Sequence, residues 1–320
     1  MKKKQKQNVS SKISSLSKNR VKEALWGYLF ISPNFLIILV FTIIPVFFST
    51  YMSLTDWNIL SEPNFVGLEN YQQILQDEVA RETFFNTFYF SILSVPINLI
   101  LTLLIAVFLN QKIKGIAFFR TAYYIPCISA SVAVSLMFMW LLANNGLVNQ
   151  MLASFGLEPV KWLTDPKIAL NSVIGVTIWK GLGMNIVIFL AGLQDIPPEL
   201  VEAASIDGAS RWQQFKNITF PLLLVSLAPL LIGSFAFNFN NFNVIYLVTQ
   251  GRPAIPGAGT PAGATDILIS YTYRLAFEGV RGNQWGLASA VSLIIFIIVA
   301  VISAIGFRYT RSLEEVSKNV

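Results

Sequence analysis

Four asparagines, Asn238, Asn240, Asn241 and Asn243, alternate with Phe237, Phe239 and Phe242 inside the otherwise apolar stretch from Ser234 to Tyr246. An asparagine amide both donates and accepts, so it can hold a hydroxyl in either sense. An aromatic ring offers a flat apolar face that suits the C–H surface of a pyranose. Together these residue types describe a site for a neutral polyol inside a membrane, with no charge to attract ions. At helical spacing Asn238, Asn241 and Tyr246 lie roughly on one face, with Phe237 and Ser234 beside it. The plainer reading is that the asparagines only join helices, each such bond being worth roughly 0.6–2 kcal/mol. Four of them within six residues, interleaved with rings, favour a solute pathway.

The segment EAASIDGASRWQQFKNITFP, from Glu202 to Pro221, points to a different chemistry. Gly208 permits a tight or left-handed turn between two short amphipathic stretches. Glu202 and Asp207 project from the first stretch, while Trp212 and Phe215 line the second. Asp195 and Glu199 precede them, and Arg211 and Lys216 follow. A simple reversal between helices takes about two to eight residues, so this loop is longer than turning requires. Its acidic head and aromatic side fit a cleft in a soluble partner. A helix lying among lipid headgroups is the alternative, but an acidic head is repelled by an anionic leaflet.

What is missing constrains the chemistry as strongly. No G-x-x-x-x-G-K-[ST] phosphate loop occurs, so the chain is not expected to hydrolyse ATP itself. It has no histidine and one cysteine, Cys127, which removes intrachain disulfides, histidine-based metal sites and histidine proton relays. No metal or cofactor is expected in the chain. Cys127, in the apolar context YIPCISASV, reads as a small buried packing residue. The spans hold no Asp or Glu, and Lys180 is the ionisable residue well inside one. A lysine there either snorkels to an interface or faces a wet pathway, and both readings stand.

The elements that must position these residues are membrane helices. Of 320 residues, 54% are hydrophobic and 12% charged, about half the charged fraction of a soluble domain. Six spans read from the pattern: Leu25–Tyr51, Phe84–Leu109, Phe118–Leu142, Asn171–Leu193, Leu222–Val248 and Trp285–Phe307, each near the roughly 20 residues a crossing needs. Sixteen Lys and Arg fall on one side, among them eight in the first 22 residues, Lys112, Lys114, Arg120, Arg211, Lys216, Arg308, Arg311 and Lys318; six fall on the other, Arg81, Lys161, Lys167, Arg252, Arg274 and Arg281. The positive-inside rule therefore places both termini and the Glu202–Pro221 loop in the cytoplasm. The net charge of +6 is a topology signal and implies no nucleic-acid partner.

The expected organisation is a basic cytoplasmic tail at 1–22, a six-helix domain at 23–310 with a polar loop at 195–221, and a short tail at 311–320. The first hydrophobic stretch is too long, and lacks a cleavage site, for a signal peptide; it reads as an uncleaved helix. The short loop after the second span predicts that spans two and three pack as antiparallel neighbours. FVGLENYQQIL, the stretch GLVNQMLASFGLEPVKWL and ILISYTYRLAFEG read as amphipathic pieces of the outer loops, with Trp162 suited to the headgroup level.

EAASIDGASRWQQFKNITFPLL resembles the EAA loop of binding-protein-dependent ABC importer permeases, with Glu202, Ala203, Ala204, Gly208, Ile218 and Pro221 at the motif's positions. The later stretches, SFAFNFNNFNVIYLVTQGRP, TPAGATDILISYTYRLAFEG and WGLASAVSLIIF, are similar to the larger permease of maltose/maltodextrin importers. The resemblance implies an all-α membrane protein of six transmembrane helices with the type I ABC importer permease fold, in a bacterial inner membrane. It implies a non-catalytic subunit forming half of a sugar pathway, a second permease, an extracytoplasmic solute-binding protein, and two copies of a cytoplasmic ATPase that bind the ATP and magnesium. Phe237, Asn238, Asn241 and Gly181 are the implied sugar contacts, and Glu202, Ala203, Ala204, Asp207, Gly208 and Pro221 belong to the implied ATPase-coupling loop. Aligned on Trp179 and Gly181, the chain has Thr177, Lys180 and Met184 where that family has an asparagine, a leucine and a tyrosine. Its first half looks more like the shorter glycerol-phosphate and oligosaccharide permeases. An importer of a small polyol or glycerol-3-phosphate, an ion-coupled carrier and a non-transporting scaffold are the competing expectations.

Overall fold

The computed structural model describes residues 22–111, 114–253, 263–279 and 283–317. The basic tail before Lys22, the glycine- and proline-rich stretch at 254–262, Lys112, Arg281 and the last three residues lie outside it.

Helix α1, Lys22–Met52, is the described part of a first unit that ends at Met52. It contains Pro33 and Pro45, and a five-residue π stretch at Leu39–Ile43 lies just ahead of Pro45. Pro45 has no N–H to return to the Phe41 carbonyl, so the widened turn sits where the ladder lacks a donor.

The second unit, Ser53–Val320, carries everything else. A small antiparallel hairpin, β1 (Thr55–Asp56) and β2 (Asn64–Phe65), leads into α2 (Glu69–Gln76). The long α3 follows, Glu78–Leu109, started by Asp77, whose carboxylate accepts from the Val79 N–H at 2.9 Å. Thr83, Thr87, Ser91, Ser94, Asn98 and Thr102 recur every three or four residues along α3, and all are buried. This stripe is the seam of the bundle. Against it lies α7, Ala169–Gln194, running in the same direction: Tyr89 donates to Asn171 at 2.9 Å, and further along Asn98 donates to the Ile178 carbonyl at 2.9 Å.

The third span is not one straight helix. α4 (Ile116–Ile128) and α5 (Ser131–Leu141) meet at 99°, with Ser129 and Ala130 extended between them. Pro126 removes a donor from the last turn of α4, and the Ser129 hydroxyl donates to the Ile125 carbonyl at 2.8 Å, so the end of the helix is closed locally. The expectation that spans two and three would be close neighbours is corrected here: α3 and α4 touch little, and each packs instead on α7. Gly183 allows this, since a Cβ there would stand 2.4 Å from the Tyr123 carbonyl oxygen. The short α6 is Leu147–Ser154. Trp162, expected at headgroup level, donates its indole N–H to Asn149 at 3.0 Å.

The fifth span is bent as well, Arg211–Val225 meeting Leu227–Thr249 at 59°. Pro229 cannot donate to the Val225 carbonyl, which is where the direction changes. Beyond the loop helices α8 (Pro198–Ile206) and α9 (Arg211–Gln214), a π turn at Phe215–Thr219 leads into α10, Phe220–Phe239. That helix ends at the asparagine cluster, and α11 (Phe242–Thr249) restarts after it. α12 (Leu268–Phe277) and the last helix α13 (Trp285–Ser317) complete the order. Among the described residues four helices are long and apolar enough to cross a membrane, and counting each bent pair as one span gives up to six crossings.

At the start of α3 the chain is tied by a buried polar knot. The Asn86 amide donates to the Ala264 and Asp266 carbonyls at 3.2 and 3.1 Å, and the Leu268 N–H donates to Thr87 Oγ1 at 2.9 Å. Asp266, with its side chain fully buried, pairs with Arg274 at 3.0 Å and accepts from the Gly263 N–H and from Ser270. Arg274 also donates to the Gln250 carbonyl and lies 3.6 Å from Glu278. Burial pushes the Asp266 carboxyl up from the ordinary carboxylate range, and the Arg274 guanidinium with the Gly263 amide draws it back. Tyr271 donates to Asp77 at 2.7 Å, and burial together with that carboxylate raises its phenol.

Candidate functional site

Between α3, α7 and the α10–α11 junction lies a cavity of about 430 Å³, edged by the α4–α5 bend. That volume is within the roughly 300–1,000 Å³ of small-molecule sites. The structure brings Thr177, Gly181, Met184, Phe237, Asn238 and Asn241 together on its wall. Their side chains do not play one role.

Asn238 is buried and committed. Its Oδ1 accepts from Ser94 at 3.0 Å across the seam, and its Nδ2 donates back to the Ser234 carbonyl at 2.8 Å. Asn241 is also buried, yet its side chain makes no hydrogen bond among the described residues. Phe237 and Met184 are exposed to the cavity, at 68% and 51%. Thr177 Oγ1 is buried in the wall without a partner among the described residues. Gly181 is needed for its size: a Cβ there would approach the Asn98 amide nitrogen to 3.0 Å.

The helical face expected for Asn238, Asn241 and Tyr246 does not exist as such. The helix breaks at Asn240, and the freed backbone is satisfied by turns, Asn240 N–H to Phe237 O at 3.1 Å and Asn241 N–H to Asn238 O at 3.2 Å. Asn238 and Asn241 still reach the cavity, because an unwound segment can line a polar hollow where a lipid-facing one cannot. Tyr246 is carried away from it. Its hydroxyl donates to Glu278 at 2.6 Å, and its ring joins Phe242 and Tyr273 at 4.7 and 5.0 Å.

Several wall residues lie outside the set expected from the sequence. Ser94 and Asn98 come from the polar stripe of α3, a three-and-four spacing that was visible inside an apolar span. Asn98 Oδ1 accepts from the Asn185 side-chain amide at 2.6 Å, so α3 and α7 share a bonded pair at the cavity edge. Cys127 lines the cavity and is partly exposed, which corrects its reading as a buried packing residue. Lys180 also lines it, donating to Ser131, so the wall is not free of charge as its asparagines alone imply.

The Glu202 loop is built from local interactions. α8 begins with Pro198 at its first position and ends before Gly208, whose φ of +83° a side chain would strain. Ser210 then opens α9 with a capping box: its hydroxyl accepts from the Gln213 N–H at 3.3 Å, and the Gln213 side chain accepts from the Ser210 N–H at 2.7 Å. Glu202, Ala203, Asp207 and Pro221 are exposed and Ala204 is half-buried. Asp195, Glu199, Glu202 and Asp207 form no ion pair with Arg211 or Lys216 among the described residues. Ile206 and Trp212, 86% and 69% exposed, crown the knob, with Trp212 stacked on Phe215 at 5.8 Å.

Residues 78–315 match the family described as binding-protein-dependent transport system inner membrane component. The chain belongs to that family. The maltose/maltodextrin transport system permease protein MalF of Vibrio vulnificus strain YJ016 is 39% identical over 259 residues, which are 78% of this chain and 49% of the relative. MalF of Klebsiella aerogenes is 38% identical over 253 residues, 77% of this chain and 49% of its own. The chain thus spans about half the length of the curated relatives it matches. Among solved structures, a chain of a bacterial alginate ABC transporter, determined in complex with an alginate pentasaccharide-bound periplasmic protein, superposes with a TM-score of 0.79 at 25% identity, over 92% of this chain and 97% of that one. The fold of this family member is therefore the all-α, type I ABC importer permease fold, in a multi-pass membrane protein.

Proposed function

We propose that the chain is the transmembrane permease subunit of an ATP-driven, binding-protein-dependent importer of oligosaccharides, forming half of the translocation pathway. The observation that carries this is the pairing of two sites at different levels of one bundle. One is an asparagine- and serine-walled cavity at a helix break; the other is an exposed, self-capped knob at the far end of α7. Asn241 and Asn185 are suited to hydroxyls and Phe237 to a sugar ring. The names of the relatives, maltodextrin and alginate transporters, agree with a saccharide.

Both termini and the Glu202 loop face the cytoplasm in this reading. A second permease completes the pathway, a solute-binding protein delivers the sugar from outside, and two copies of an ATPase hold the ATP and magnesium. The knob's bare acidic groups and the exposed Ile206 and Trp212 sit in a cleft of one ATPase, and closure of the ATPases moves α8, α9 and hence α7 and α10. Maltodextrin-like saccharides are the first substrates to test.

Purification from native membranes in mild detergent, followed by mass spectrometry, tests the reading. An ATPase subunit should accompany the wild-type chain and be lost with Gly208→Arg. Recovery of neither ATPase nor second permease, under conditions that preserve other membrane complexes, would overturn it.

A further inference from the structure

The cavity wall carries one formal charge. Lys180 lines it, and no Asp or Glu is among the lining residues. The partner of the Lys180 ammonium in the wall is a neutral hydroxyl, Ser131. A hydroxyl satisfies one donor of three and leaves the charge uncompensated. In a hollow walled by apolar helices that charge is weakly screened.

A second, independent positive feature meets it. Ser131 is the first residue of α5, the half-helix that restarts after the 99° bend, and no side chain caps that end. The first amides of an 11-residue helix, which have no partner within it, and the positive end of its dipole thus open beside Lys180. Half-helix N-termini at the level of a transport site are suited to anionic groups of a substrate.

We propose that Lys180 and the N-terminus of α5 form an oxyanion subsite, so that the solute is a saccharide bearing a carboxylate or a phosphate monoester. The rest of the wall divides the remaining work. Asn241 and Asn185 meet hydroxyls, and Phe237 stacks on the ring. The inference rests on the saccharide reading above and narrows its substrate class.

Cys127, the chain's sole cysteine, lines the same cavity and gives a readout that needs neither ATP turnover nor a binding protein. Membrane vesicles holding the chain with its partners are alkylated with a small neutral maleimide, and the Cys127 peptide is quantified by mass spectrometry. Matched pairs are added at equal concentration: galactose and galacturonate, glucose and glucose 6-phosphate, cellobiose and its uronate. The expected result is that at least one charged member slows labelling about tenfold more than its neutral counterpart, as fits a charge-assisted contact. Lys180→Met should abolish that difference, and Lys180→Arg should retain it. The carboxylate and phosphate pairs tell the two oxyanions apart.

Equal protection by neutral and charged members, unchanged in Lys180→Met, would overturn the oxyanion subsite and leave the saccharide reading standing. Protection by no saccharide, with or without inorganic phosphate protecting, would overturn both.

Discussion

Two polar segments between spans, the knot around Asp266 and the knob around Gly208, sit at opposite ends of the bundle and solve the polar problem in opposite ways. In the knot, the carboxylate, guanidinium, hydroxyls and carbonyls are buried and matched to one another, with Asn86 and Thr87 of α3 fastening them to the bundle. In the knob, bonds run only between near neighbours in sequence, and the acidic and apolar side chains face outward. Buried polar groups must be partnered within the chain; exposed ones need not be, and an exposed tryptophan and isoleucine together leave room for something else. The knot is therefore satisfied within the chain, whereas the knob leaves its acidic and apolar side chains exposed, as the proposed docking role requires.

Removing one member of the knot should have the largest effect. Arg274→Met leaves Asp266 buried without its cation, and thermal unfolding in detergent should register a loss of about 3–5 kcal/mol. Replacing both, Asp266→Leu with Arg274→Met, should recover a large part of it. A double variant as unstable as the single one would mean that the ion pair is not what holds the knot.

Next in size is the seam between α4 and α7. Gly183→Val places a side chain against the Tyr123 carbonyl and should cost about 1–3 kcal/mol by the same unfolding assay. The cavity asparagines should then separate. Asn238→Ala orphans the Ser94 hydroxyl and is expected to cost roughly 1 kcal/mol. Asn241→Ala should change stability by less than about 0.5 kcal/mol while lowering saccharide uptake, because its amide is uncommitted among the described residues. Equal stability losses for the two would remove that distinction.

The smallest stability effect belongs to the knob. Trp212→Ala, at an exposed position, should stay within about 0.5 kcal/mol of wild type, yet weaken recovery of the ATPase in a detergent pull-down. A clear stability loss with unchanged ATPase recovery would make Trp212 a structural residue and blur the contrast between knob and knot.

Much of this was written in local patterns. Crossing-length apolar runs mark spans regardless of neighbours, and the Gly208 turn with the Ser210 capping box needs only adjacent residues, so spans and knob were legible. The α3 stripe is legible too, at its three-and-four spacing inside an apolar span. Asp266 and Arg274 were opaque: their pairing depends on which loop folds over the start of α3, and nothing near either residue states that.

Composition and periodicity by themselves determined the membrane class, the apolar runs of crossing length, the exposed turn around Gly208 and the asparagine-rich span, because each depends on transfer to lipid or on short-range bonding. The tertiary structure decided the rest. Hydrophobicity is blind to direction, so only the fold shows that the third span bends by 99° and that a half-helix opens beside Lys180. Helical periodicity assumes an unbroken helix, so only the fold separates Asn238 and Asn241 from Tyr246. And whether Lys180 snorkels or lines a hollow depends on helix rotation, which is set by close packing such as that of Gly183 on α4 and of the α3 stripe on α7.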